Sequence, residues 1–160
     1  MVAFGREILE APEKILTRQT GDSIIGAIDR KRLYTGRSLH SWILRRGQRI
    51  SLELLLSILN SKLMTYLYQA ASRERGRALA QVKLNKLKEL PFPQFESLDA
   101  SKKRSCDKID DLAKRIELLS RDPAWNLKSR PLVGQIDELV YELYGITAVE
   151  RKIIEESVPG

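Results

Sequence analysis

The stretch Lys14-Ile15-Leu16-Thr17-Arg18-Gln19-Thr20-Gly21-Asp22-Ser23-Ile24-Ile25-Gly26-Ala27-Ile28 decides the fold class, because it reads as two strands around a turn. Lys14 to Arg18 is a short run bounded by Pro12 on one side and by Thr20-Gly21-Asp22 on the other, which is turn chemistry. Ser23 to Ile28 follows as the second strand of a hairpin. A third extended stretch runs from Ser38 through Leu39, His40, Ser41, Trp42 and Ile43 to Leu44, with imperfect alternation of apolar and polar residues.

From Leu52 the period changes. Leu55, Leu56, Leu59, Leu63, Tyr66 and Leu67 recur at three- and four-residue spacing, which predicts one amphipathic helix of about five turns with Ser51 as its N-cap. Asn60-Ser61-Lys62 interrupts its apolar face. The structural reading is that the polar pair satisfies a neighbouring loop's backbone and bends the helix. Ser72 to Arg77 ends it in a basic loop containing Gly76, Val82 to Leu90 reads as extended, and Pro91-Phe92-Pro93 cannot enter a helix.

The rest predicts helices. Cys106, Ile109, Leu112, Ile116 and Leu119 make one stripe, and Leu132, Ile136, Leu139 and Leu143 make another, with Asp122-Pro123-Ala124-Trp125-Asn126 as their connection. Gly145 fits the position after a helix C-terminus, and Thr147 with Glu150 has capping-box spacing for a last short helix. The expected fold is α+β: a small, twisted, mostly antiparallel sheet over residues 14 to about 95, packed on the Leu52 helix, then a helical appendage. The expected division is a recognition core over 1–100 and a helical region over 101–160 that packs on that core or on a catalytic domain.

A chain of 160 residues buries a real core without covalent staples. The single cysteine, Cys106, cannot pair within the chain, which points to a reduced compartment. No apolar run reaches membrane-span length, and Arg6, Glu7 and Glu10 break any signal peptide. The cytoplasm of a prokaryotic cell, with no membrane partner, is the expected location.

The net charge is +7, and its distribution is uneven. Cations exceed acids by five in residues 1–50 and by four in 51–95, while 96–160 are net −2. A polarised positive field addresses a polyanion. Arg30, Lys31, Arg32, Arg37, Arg45, Arg46 and Arg49 stand together with no acid among them, interleaved with Tyr34, His40 and Trp42. Arg73, Arg75, Arg77, Lys83, Lys86 and Lys88 form a second cluster. Arginine's fork can read guanine edges, and lysine mostly positions the phosphate backbone.

Catalytic chemistry is poorly represented. One histidine and one cysteine build neither a zinc site nor a Cys-His pair. Asp22 and Asp29-Arg30-Lys31 only faintly suggest a metal-dependent nuclease, and Asp22 after Gly21 is explained by the turn.

Four strings in order add a family resemblance: Pro12-Glu13-Lys14-Ile15-Leu16 with Arg18-Gln19-Thr20-Gly21-Asp22; Leu55-Leu56-Ser57-Ile58-Leu59-Asn60-Ser61-Lys62; Leu87-Lys88-Glu89-Leu90-Pro91-Phe92-Pro93; and Ile136 to Thr147. Over residues 12 to 156 the chain resembles the TaqI-like C-terminal specificity domain of adenine-specific DNA methyltransferases and type IIG restriction-modification enzymes. The resemblance implies a module that reads double-stranded DNA and is no enzyme by itself. An upstream methyltransferase domain of the parent would bind S-adenosylmethionine and methylate adenine at N6. The sequence has no Gly-rich cofactor turn, and Asp122-Pro123-Ala124-Trp125 is an interhelical loop rather than an adenine-holding motif.

The DNA-contact residues expected on this reading are Arg18, Gln19, Thr20, Arg30, Lys31, Arg32, Tyr34, Arg37, His40, Trp42, Arg45, Arg46, Arg73, Arg75, Arg77, Lys83 and Lys86, with no catalytic or metal-binding residue. The rival readings are a fragment of a type I restriction specificity subunit and a compact metal-dependent nuclease.

Overall fold

The computed structural model describes residues 6–36, 38–45, 47–48 and 50–158. A short helix α1 (Arg6–Leu9) leads into strands β1 (Lys14–Arg18), β2 (Gly26–Asp29) and β3 (Leu39–Trp42). Helices α2 (Leu52–Asn60), α3 (Lys62–Ser72) and α4 (Leu84–Lys88), a 3-10 turn at Phe95–Ser97, and helices α5 (Ala100–Leu119), α6 (Trp125–Tyr144) and α7 (Ala148–Ser157) follow. The α+β class read from the sequence is the observed one.

The sheet is antiparallel with order β2-β1-β3. Leu16 lies between Ala27 and Ser41, and Ile15 between Ile28 and Trp42. Alternation along the strands puts Ile15, Thr17, Ile28 and Trp42 on one face and Leu16, Ala27 and Ser41 on the other. The first face receives α2, whose Leu55, Ile58 and Leu59 join Ile15, Ile24 and Trp42 in the core. Helix α5 packs on the far side of α2 and pairs with α6. One apolar cluster therefore runs from the sheet to Ile109, Leu112, Val140 and Ile154, and it continues past residue 100 without a break.

Three expectations are corrected. Among the described residues the strands end at Trp42 rather than continuing toward residue 95, and only the isolated Thr20–Gln81 bridge carries strand pairing further. The segment expected to be extended after Val82 instead forms α4. There the three-residue spacing of Leu84 and Leu87 turns both toward the core, a helical period too short to stand out in sequence. The predicted long helix is two helices.

Ser61 causes that break. Its backbone is extended, its amide and hydroxyl both donate to the Ile58 carbonyl, and its Oγ accepts the Met64 amide, so one residue closes α2 and caps α3. The neighbouring polar groups have tertiary partners. Asn60 Oδ1 accepts the Gly26 amide at 2.8 Å and its Nδ2 donates to the Gly26 carbonyl at 3.0 Å. The Lys62 amide, left over at the start of α3, donates to Asp137 of α6 at 2.9 Å. The expected partner was a neighbouring loop; instead Asn60 satisfies Gly26 of β2, Ser61 satisfies the ends of its own two helices, and the expected bend is a full interruption.

The C-terminal signals are observed as expected. Gly145 ends α6 in the left-handed region, and Thr147 and Glu150 form a reciprocal capping box on α7.

Candidate nucleic-acid interface

The turn Gln19 to Asp22, after the end of β1, is tied to the basic loop between α3 and α4. The Gln19 amide donates to the Ser38 carbonyl at 2.8 Å, and the Gln19 carbonyl accepts the Val82 amide at 2.6 Å. Gly21 donates to the Ala80 carbonyl at 2.9 Å. Asp22 accepts the Gly76 amide on its carboxylate at 3.2 Å and the Gln69 side-chain amide on its carbonyl at 3.3 Å. These pulls explain why β2 begins at Gly26 rather than at Ser23: Gly21 and Asp22 bond to the basic loop and α3, and Ser23 donates its hydroxyl to Asp22.

The basic loop is organised from within by Glu74, which is 3% exposed. Its carboxylate accepts Lys83 Nζ at 2.7 Å, Arg77 Nη1 at 3.2 Å and the Gln81 amide at 3.4 Å. The Lys83 ammonium holds its pKa below the usual carboxylate range, against the opposing effect of burial, and the Gln81 amide adds to the lowering. Tyr68, fully buried, donates its hydroxyl to the Gln81 carbonyl and accepts the Lys83 amide, both at 2.9 Å. Sequence reading missed Glu74; the available signal was that it is the lone acid between Arg73 and Lys88.

The second basic region crosses the sheet. Residues 30–38 run from the end of β2 to the start of β3, at opposite ends of β1, and Thr35 Oγ1 lies 3.3 Å from Ser41 Oγ. Ser41 is on the face away from α2, so Lys31, Arg32 and the exposed Tyr34 pass over that outer face. Asp29 anchors the start of the crossing by accepting the amides of Lys31 and Leu33, each at 2.8 Å. The faint acidic pair thus resolves into two structural carboxylates. Among the described residues no group of three His, Cys, Asp or Glu side chains could hold a metal ion.

The expected contact residues fall into distinct environments. Lys31, Arg32, Arg45, Arg73 and Arg75 are exposed and have no ion-pair partner among the described residues. Arg77 and Lys83 share Glu74, and Lys86 pairs with Glu89 at 2.8 Å. Arg30 is held by Glu53 and Glu117, with Glu13 at 3.7 Å, so it braces β2 against α2 and α5. His40 is half-buried and, facing a carbonyl, must donate from Nε2 to Val82 at 2.8 Å. Trp42 is 1% exposed, its Nε1 donating to Thr17 Oγ1 at 2.9 Å. The imperfect alternation of β3 concealed that it faces the core. Arg37 and Arg46 lie outside the described residues, as does Arg49.

At the turn, Thr20 is exposed and Gln19 half-buried. Arg18 lies against Gly21, where a Cβ would come within 2.8 Å of Arg18 Nη2, and Gly21 has φ +110°. Arg18 Nε is buried without a hydrogen-bond partner.

A family model for the TaqI-like C-terminal specificity domain matches residues 3–92, more than half of the chain. The chain belongs to this family. No curated protein matches it. The match spans the sheet, the split helix pair and the stitched basic loop, so the two cation-bearing regions are parts of the specificity domain itself. It ends at Phe92, and the resemblance of Ile136 to Thr147 lies beyond it.

The remaining surface has different chemistry. A cleft of about 800 Å³ is lined by Glu7, Glu10, Glu13 and Glu53 around Ile43, Leu44 and Leu52, and Arg30 pairs with the last two of these acids. Asp122 accepts the Ala124 amide at 2.8 Å and pairs with Lys128 in the turn between α5 and α6. Cys106 is buried, and burial together with the Asp107 charge raises its thiol pKa and disfavours thiolate. No helix among the described residues is long and apolar enough to cross a membrane.

Proposed function

We propose that this specificity domain recognises a particular sequence of double-stranded DNA and presents a target adenine to an associated N6-adenine methyltransferase domain. That domain would be the one to bind S-adenosylmethionine. The observation that carries the reading is the placement of five exposed cations without an ion-pair partner among the described residues, Lys31, Arg32, Arg45, Arg73 and Arg75, around strand β1 and the turn that follows it. Arg73 and Arg75 lie beside the Gln19–Asp22 turn at one end of β1, and Lys31 and Arg45 at its other end, with Arg32 on the crossing segment. Five strand residues span roughly 14 Å, comparable to the roughly 12 Å width of the major groove, so cations at both ends can meet phosphates on either side of it. The turn between them offers Gln19 and Thr20, whose side chains carry the mixed donors and acceptors that base edges require. Division into a recognition core over 1–100 and a helical region over 101–160 belongs to the same proposal, with α5 to α7 as the support that holds α2 against the sheet.

The test is equilibrium binding to duplex DNA across a salt series, followed by selection from a random pool. Neutralising about five phosphates gives a slope of log K against log salt of roughly −4.5. A flat salt response, or a selection that enriches no sequence, would contradict the reading.

A further inference from the structure

The arginine loop carries, beside its charges, the most exposed large apolar side chain among the described residues: Leu79 is 89% exposed. Its backbone is fixed. Ala80 donates to the Arg77 carbonyl at 3.2 Å and so closes a four-residue turn, with Ala78 and Leu79 at its tip. Arg77 is bonded to Glu74 through both backbone and side chain, and the Ala80 carbonyl accepts Gly21. Ala80 itself is buried. A leucine held outward on a turn anchored at both ends gains nothing from the fold, and small Ala78 beside it leaves room for close approach.

We infer that Leu79 is an apolar wedge that enters the stack of duplex DNA between two base pairs when Arg73 and Arg75 hold the flanking phosphates. This rests on the DNA-recognition reading and extends it from contact to deformation. An aliphatic side chain inserted at a base step loses its water and partly unstacks the step, and the cost is offset by the closer phosphate contacts of the deformed duplex. The two unpaired arginines on the same loop supply the charge complementarity that favours DNA over an apolar protein pocket as the occupant. Leu79 would also make the contact sensitive to the step, because pyrimidine–purine steps unstack most easily.

The experiment places 2-aminopurine at successive positions of the duplex enriched by selection and follows its fluorescence on adding the whole chain, with Leu79→Ala and Leu79→Met for comparison. One position is expected to brighten with the unsubstituted chain and with Leu79→Met, but not with Leu79→Ala. Leu79→Ala should bind about tenfold more weakly, the worth of burying most of an aliphatic side chain, at an unchanged salt slope and melting temperature. Fluorescence that stays dark with all three proteins, or brightens equally with Leu79→Ala, would overturn the wedge while leaving salt-dependent binding intact. Absence of any duplex binding would instead remove the recognition reading, and the wedge with it.

Discussion

The carboxylate of Asp22 accepts the amide of Gly76 at 3.2 Å across 54 residues of sequence. This bond joins the proposed base-reading turn to the proposed phosphate-holding loop. The Gly76 amide is the main reason the Asp22 pKa lies below its ordinary 3.8; burial opposes the lowering, and the Ser23 hydroxyl and the Arg18 charge reinforce it. A carboxylate with a depressed folded-state pKa contributes stability above its unfolded value and loses it as pH falls through the folded value. The tether is therefore intact at neutral pH and released only below about pH 4. Asp22→Ala should speed hydrogen exchange of the Gly76 amide and weaken DNA binding at neutral pH, whereas Asp22→Asn, which keeps an acceptor oxygen, should preserve much of the protection. Unchanged exchange in Asp22→Ala would show that the loop holds itself.

Lys14 and Asp29 form an ion pair at 2.9 Å between β1 and β2, with side chains 0% and 2% exposed. Burial alone would raise the Asp29 pKa; the bond from Lys14 and the amides of Lys31 and Leu33 reverse that and lower it. Lys14→Met leaves the carboxylate buried without its cation and should cost about 3 kcal/mol. The double variant Lys14→Met/Asp29→Leu should be less destabilised than the two single costs added. The pair should also weaken the fold in acid, since the lowered Asp29 pKa gives a contribution that disappears as pH falls below about 4. Chemical denaturation of the variants at pH 7 and pH 3.5 measures both effects.

Holding and reading should separate by mutation. Arg73→Ala with Arg75→Ala removes two unpaired charges and should weaken binding to all sequences alike, flattening the salt slope by about 1.8, or about 0.9 for each lost phosphate contact. Substituting Gln19 should instead cost about 1 to 3 kcal/mol of discrimination at one position of the site. Arg18 is the informative intermediate, because its Nε is buried and unpartnered while its guanidinium covers Gly21. Arg18→Ala that lowers the melting temperature and leaves the selected sequence unchanged would mark it as a brace for the turn.

The legible parts of this fold were those whose partners are close in sequence. Thr147 and Glu150 satisfy each other three residues apart, Gly145 ends the helix it follows, and β1 pairs with the next strand in the chain, β2. The interruption at Ser61 was hidden because the leucine period continues across it, while the groups that compensate the break, Gly26 and Asp137, lie 34 and 75 residues from their partners. Trp42 looked like a surface aromatic among arginines because its partner Thr17 is 25 residues away. Likewise, charge composition located both basic regions but could not separate Arg30, which three glutamates hold, from Arg32 and Arg73, which none do. Whether a cation is open to phosphate depends on tertiary neighbours.

The most direct test of the proposed interface is an NMR titration of the chain with duplex DNA, following every backbone amide. Shifts should concentrate on residues 18–22, 30–36, 38–40 and 73–83, grow with falling salt, and leave α5 to α7 nearly still. Shifts centred on α5 to α7 or on the acidic cleft, or none in the Gln19–Asp22 turn and the Arg73–Arg77 loop, would contradict the assignment of DNA recognition to these segments.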